Sequence, residues 1–85
     1  MEYEFVNNGS DLKEMLCRLD LSKAKFAELC GVSRQTIDNI CRNKYKFRKS
    51  LLITMNYVIK DYIEDNDLVL VTEYHYKRRK DIKKD

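Results

Sequence analysis

Apolar residues recur along this chain with helical spacing for most of its length. Leu12, Met15, Leu16 and Leu19 fall at i, i+3, i+4 and i+7, one face of a helix over residues 11–19. Ser10 is placed to cap it, with Asp11 and Glu14 near its positive end. Asp20-Leu21-Ser22 breaks the pattern, and Ser22 caps a second helix over 23–30. Phe26, Ala27 and Cys30 face inward there, with Leu29 beside them. Gly31 ends this helix, and Ser33 caps a third over 34–42, with Ile37 and Ile40 buried. Asn43 stands where a left-handed cap belongs. After a basic loop over 44–49, Leu51, Leu52, Met55, Val58, Ile59, Tyr62 and Ile63 form the clearest amphipathic stripe. It predicts a fourth helix over 50–63, stopped by Glu64-Asp65-Asn66-Asp67.

Two stretches depart from that spacing. Residues 1–6 alternate weakly around Tyr3, Phe5 and Val6 and predict a short strand, followed by a turn at Asn7-Asn8-Gly9. Residues 68–76 are rich in β-branched and aromatic side chains and predict a strand. Leu68, Leu70, Thr72, Tyr74 and Tyr76 lie on one face, and Val69, Val71, Glu73 and His75 on the other. An apolar edge of this kind should be covered, by residues 1–6 or across a dimer. The expected domain is mainly α and spans 1–76, with a charged, mobile tail over 77–85.

Composition narrows the class. There is no proline and there are two glycines in 85 residues, which favours helices. A chain this short has a small core, so dimerisation would naturally extend it. With 44% hydrophobic and 36% charged residues it is globular, not disordered. No apolar run reaches the roughly 18–20 residues of a membrane span, and the first five residues are acidic where a secretory signal is basic. A cytoplasmic protein is expected. Cys17, Cys30 and Cys41 form no CxxC pair, so they read as buried or half-buried thiols, with neither disulfide nor metal expected.

The net charge of +3 is segregated. Residues 1–22 carry −3, residues 23–50 carry +6, residues 51–76 carry −4 and residues 77–85 carry +4. A polyanion is drawn to the basic blocks and turned away from the others, which orients it.

The interior basic block begins inside a steric pattern. Ala27 stands where two helices cross steeply and a larger side chain would part them. Gly31 supplies the positive φ that reverses the chain. Val32 plugs the space beneath the turn, and Ser33 satisfies amides at the start of the next helix. Ile37 and Ile40 hold that helix down, leaving Arg34, Gln35, Asp38 and Asn39 outward.

On Ala27, Gly31-Val32-Ser33, Thr36-Ile37, Ile40 and Arg42-Asn43-Lys44, the stretch 22–42 resembles the helix-turn-helix of the phage Cro and repressor family, also called xenobiotic-response-element-like. The flanking helices match in placement only. Asn43 stands where the family often has glycine, no proline precedes the fourth helix, and a strand with a basic tail replaces the common fifth helix, which is closer to Cro. The resemblance implies a four-helix helix-turn-helix DNA-binding domain whose third helix enters the major groove of double-stranded DNA. Arg34 would pair with guanine, and Gln35 and Asn39 with adenine. Asp38 would accept from cytosine N4 or pair with Arg34 at i+4. Lys23, Lys25, Ser33, Thr36, Arg42, Lys44, Tyr45 and Lys46 would hold phosphates, with the amides that open the second helix. A repressor on a palindromic operator is the simplest such protein. It would be a homodimer through the strand 68–76 or the helix 50–63, with no membrane association and no room for a small-molecule effector.

Other readings compete. The same fold can serve as a protein-interaction module, such as a phage inhibitor that occludes a host nucleic-acid channel with the acidic block 51–76, or as an accessory of a DNA-processing complex. The basic tail is either a solubilising end or a minor-groove or backbone arm. Tyr57, Tyr62, Tyr74 and Tyr76 read as packing or interface residues, and His75 as structural or exposed. No Ser/His/Asp set, Gly-rich phosphate loop or HExxH occurs, so no enzyme activity and no cofactor are expected.

Overall fold

Among the described residues four α-helices form, and the ends of the first three are fixed by residues immediately beside them. The computed structural model describes residues 3–42 and 48–82. Helix α1 is Gly9–Leu19, α2 is Lys23–Cys30, α3 is Arg34–Cys41 and α4 is Lys49–Asp65. Two short strands follow, β1 Leu68–Leu70 and β2 Tyr76–Arg78, then a 3-10 turn at Arg79–Asp81.

Helix α1 starts earlier than its apolar face predicts. Asn8, not Ser10, is the cap: its Oδ1 accepts the Asp11 amide at 2.9 Å, and Asp11 Oδ2 reaches back to the Asn7 amide at 2.9 Å. This reciprocal pairing satisfies two amides at once. At the other end Asp20 takes a left-handed conformation, φ 53°. The Asp20 amide donates to Cys17 O and the Leu21 amide to Leu16 O, closing the helix with a Schellman motif. Helix α2 ends the same way around Gly31, φ 74°, with Gly31 N–H to Glu28 O and Val32 N–H to Ala27 O. Beyond Gly31 and its chain neighbours, no atom lies within 4 Å of where a Cβ on Gly31 would sit, so the backbone angle, not space, is what glycine answers there.

The core gathers Val6, Leu12, Phe26, Ile37, Ile40, Met55 and Ile59, all fully buried. Leu12, Met15, Leu16 and Leu19 of α1 are buried together, as their spacing predicts. Of the α4 stripe, Met55 and Ile59 lie at its centre, while Leu51, Leu52, Val58, Tyr62 and Ile63 pack half-buried against the core. Leu29 is exposed and Cys30 only half-buried, so α2 turns fewer residues inward than expected.

The expected N-terminal strand does not form over its described part, residues 3–6. Besides the burial of Val6, the backbone of the segment is held by one side chain of α4. Asn56 Oδ1 accepts the amides of Phe5 and Val6, each at 2.9 Å, and its Nδ2 donates to Val6 O at 2.8 Å and Leu52 O at 2.9 Å. An extended segment gains nothing from strand geometry without a neighbouring strand, and here an amide side chain answers its backbone groups.

The single strand expected over 68–76 is a hairpin. Strands β1 and β2 pair antiparallel, Leu68 opposite Arg78 and Leu70 opposite Tyr76. Thr72 Oγ1 accepts the amides of Tyr74 and His75 at 3.2 and 3.1 Å, reversing the chain. One edge of β1 is therefore paired within this chain, by β2, and the described residues 3–6 do not pair with it. The basic segment expected as a tail from residue 77 begins inside β2. Arg79 is tied back through its amide to Asp67 O at 2.8 Å and through Nε to Asp67 Oδ1 at 3.4 Å.

Asn56→Ala tests the N-terminal anchor. It should lower stability by about 1–3 kcal/mol, because part-buried backbone groups lose their partners. Hydrogen exchange should speed up at the Phe5 and Val6 amides before other sites. Unchanged protection there would show that packing of Val6 alone holds the segment.

Candidate nucleic-acid interface

The outward face of α3 is a consequence of what lies beneath it. Ile37 and Ile40 are fully buried and Cys41 nearly so, against Phe26 and Ala27 of α2. Burying side chains of this size stabilises by about 1.5–3 kcal/mol each, enough to set how α3 lies on α2. With that side fixed, Arg34 and Gln35 stand exposed at the start of α3, Asp38 and Asn39 half-buried one turn on, and Arg42 exposed at its end. Ser33 caps the helix: its Oγ accepts the Thr36 amide at 3.1 Å and lies 2.9 Å from Thr36 Oγ1.

The polar residues of this face are not independent. Gln35 Nε2 donates to Asn39 Oδ1 at 3.1 Å, one turn away. Asp38 makes two contacts with cations. Its Oδ1 accepts from Lys23 Nζ at 2.8 Å and its Oδ2 lies 3.2 Å from Arg42 Nε. The expected i+4 pair with Arg34 is replaced by these two cations. The sequence alone did not reveal Lys23 and Asp38 as partners. They are fifteen residues apart, and only the packing of α2 against α3 brings the first residue of α2 to the middle of α3. Ser22 caps α2 by accepting the Lys25 amide at 3.1 Å, and Lys25 Nζ lies 3.9 Å from Glu28 Oε1. Lys44, Tyr45 and Lys46, and the left-handed cap expected at Asn43, lie outside the described residues.

Electrostatics follow the geometry. The hydrogen bond from Lys23 holds the Asp38 carboxyl below its ordinary pKa, aided by the charges of Arg42, Lys23 and Arg34 against partial desolvation. Burial pushes the Cys30 thiol up to about 11 and raises that of Cys41. Both are therefore protonated near neutrality and unsuited to nucleophilic work. Cys17 is exposed, and all three cysteines are free. Among the described residues no three His, Cys, Asp or Glu side chains gather to hold a metal, and no helix is long and apolar enough to cross a membrane.

Two short capped helices crossing at a glycine turn, with a polar face on the second and supporting helices on either side, define the helix-turn-helix class. A family model described as helix-turn-helix matches residues 12–55, just over half of the chain. The chain belongs to this family, of Cro and repressor type, and is a DNA-binding helix-turn-helix regulator rather than a member of an enzyme family. No curated protein and no solved structure gives a significant match.

The lowered pKa fixes a pH dependence. A carboxyl whose folded pKa lies below its unfolded value stabilises the fold fully above the ordinary carboxylate range. That contribution is lost as pH falls through the folded value. The melting temperature of the protein should exceed that of Asp38→Asn by a constant margin between about pH 5 and 8, shrinking below about pH 4. A margin that grows on acidification would contradict the assignment.

Proposed function

We propose that the protein is a sequence-specific repressor of phage or mobile-element kind, cytoplasmic, that inserts α3 into the major groove of a palindromic operator. One observation carries this reading. Arg34 and Gln35 project side by side from the first turn of a helix whose opposite face is anchored by fully buried Ile37 and Ile40. The N-terminal residues of such a helix are the ones that reach base edges. Arg34 suits guanine O6 and N7, and Gln35 and Asn39 suit adenine, each good bidentate contact discriminating by about 1–3 kcal/mol. Asp38 can accept from cytosine N4. Lys23, Lys25, Ser33, Thr36, Arg42, Lys44, Tyr45 and Lys46 hold the flanking phosphates, with the first amides of α2.

Selection of bound sites from random duplex DNA tests this directly, and a palindromic product is expected. Arg34→Ala with Gln35→Ala should abolish preference for the selected site while leaving the circular dichroism spectrum intact. A folded double variant with undiminished preference would sink the base-reading assignment. Absence of any shift at low salt would favour the protein-binding alternative.

A palindrome requires two copies. Among the described residues, five of the seven exposed large apolar side chains lie on α4 or the hairpin: Ile53, Tyr57, Leu70, Val71 and Tyr74. This supports a homodimer through one of those two elements, since apolar groups clustered at the surface mark association sites. Sedimentation should give a dimer, and either Ile53→Ala with Tyr57→Ala or Leu70→Ala with Tyr74→Ala should weaken it. A monomer at all concentrations would remove the palindromic operator.

A further inference from the structure

Asp38 occupies an unusual place for an acid. It lies on the one face of the molecule that has to approach a polyanion, within the basic block 23–50, where Glu28 is the only other acid. An exposed carboxylate there would repel phosphate and give nothing back on most sequences. This one is not simply exposed. Each of its oxygens is occupied by a different cation, Lys23 from the start of α2 at 2.8 Å and Arg42 from the end of α3 at 3.2 Å. Its side chain keeps 19% of its accessible surface, against 35% for Lys23 and 59% for Arg42. The acid is thus the sheltered centre of the triad and the cations form its rim.

From this arrangement we infer that Asp38 is a specificity-determining latch: it withholds Lys23 and Arg42 from DNA phosphates wherever the duplex offers the carboxylate no donor of its own. The inference rests on the DNA-binding reading above and deepens it. Counterion release drives sequence-independent binding in proportion to the number of phosphates neutralised. A cation already neutralised by Asp38 contributes little to that count. On random DNA the latch stays closed and two phosphate contacts are forfeited. At a site that presents an amine such as cytosine N4, Asp38 has an alternative partner, and Lys23 and Arg42 are freed for the backbone. Base recognition and phosphate affinity are thereby coupled through one side chain. Asp38 acts on random DNA as a positioning residue for its two cations, without touching the nucleic acid.

The geometry also says what a merely structural role would look like. If the ion pairs only fastened α3 to α2, their loss would soften the fold and weaken binding to every duplex. A latch predicts the opposite sign on random DNA.

The experiment measures binding of random-sequence duplex DNA against salt for wild type, Asp38→Asn, Lys23→Gln with Arg42→Gln, and all three changes together. The amide is isosteric with the carboxylate but cannot hold two cations as ions. Asp38→Asn should bind random DNA more tightly, with a log–log salt slope steeper by about two units, equivalent to an additional loss of about tenfold between 50 and 200 mM salt. Its preference for the selected site over random DNA should fall by a similar factor. In the Lys23→Gln/Arg42→Gln background, the same Asp38→Asn change should leave the slope almost unmoved, since no cation remains to be released. An equal change of slope in both backgrounds would mean simple removal of a repelling charge and overturn the latch. So would an unchanged slope or weaker binding in folded Asp38→Asn. If Asp38→Asn does not fold, the comparison of wild type with Lys23→Gln/Arg42→Gln decides alone: nearly equal slopes on random DNA support the latch, and a slope about two units shallower in the variant overturns it. No binding by wild type at low salt would overturn the DNA-binding reading itself, a result distinct from all of these.

Discussion

The reversal between Cys30 and Ser33 is the constraint on which the rest depends. Three residues must end one helix, change direction and open another. Gly31 provides the left-handed angle, the Val32 amide closes α2 on Ala27 O, and Ser33 starts α3 by accepting the Thr36 amide. So short a turn leaves the two helices no freedom to separate, and the small Ala27 lets them approach. Phe26, Ile37 and Ile40 then fill the angle between them. Everything on the outer face of α3 inherits its direction from this packing.

The supporting elements differ in how they are attached. Helix α1 contributes a full apolar face, and α4 contributes Met55 and Ile59. Residues 3–6 form no helix or strand; besides the buried Val6, they are attached by the amide of Asn56, which uses both its acceptor and its donor ends. The hairpin is tied to the end of α4 by Asp67, which receives the Arg79 amide on its carbonyl and the Arg79 guanidinium on its carboxylate. A small core thus carries two peripheral pieces that are also tied by specific polar contacts.

What could be read from the sequence follows from the range of each interaction. The bounds of α2, its cap at Ser22, the turn at Gly31 and the cap at Ser33 depend on neighbours within four residues, and each was legible. The buried faces of α1 and α3 were legible because helical period exposes them. Asn8 outcompeted Ser10 as the α1 cap through its pairing with Asp11, a choice between two good caps that composition does not resolve. The hairpin was hidden because its reversal uses Thr72 rather than glycine, asparagine or proline, leaving nine residues that look continuous. The Asn56 anchor acts across fifty residues and the Lys23–Asp38 pair across fifteen, and no periodicity records either. The outward residues of the site were therefore legible as a set, but not the bonds among them.

Those bonds change how the face should be understood. Gln35 and Asn39 are joined at i+4, as are Asp38 and Arg42, and Asp38 is joined also to α2. Residues that share hydrogen bonds respond to substitution together, so their effects do not add. Among the described residues Arg34 makes no hydrogen bond or close ion pair with Asp38 despite the favourable spacing, and acts on it through charge alone. A face of this construction is one hydrogen-bonded pair, Gln35 with Asn39, one triad of Asp38 with Lys23 and Arg42, and Arg34, rather than separate contacts. On the proposed DNA reading, its selectivity would come from which partners a DNA sequence can substitute for those the protein already provides itself.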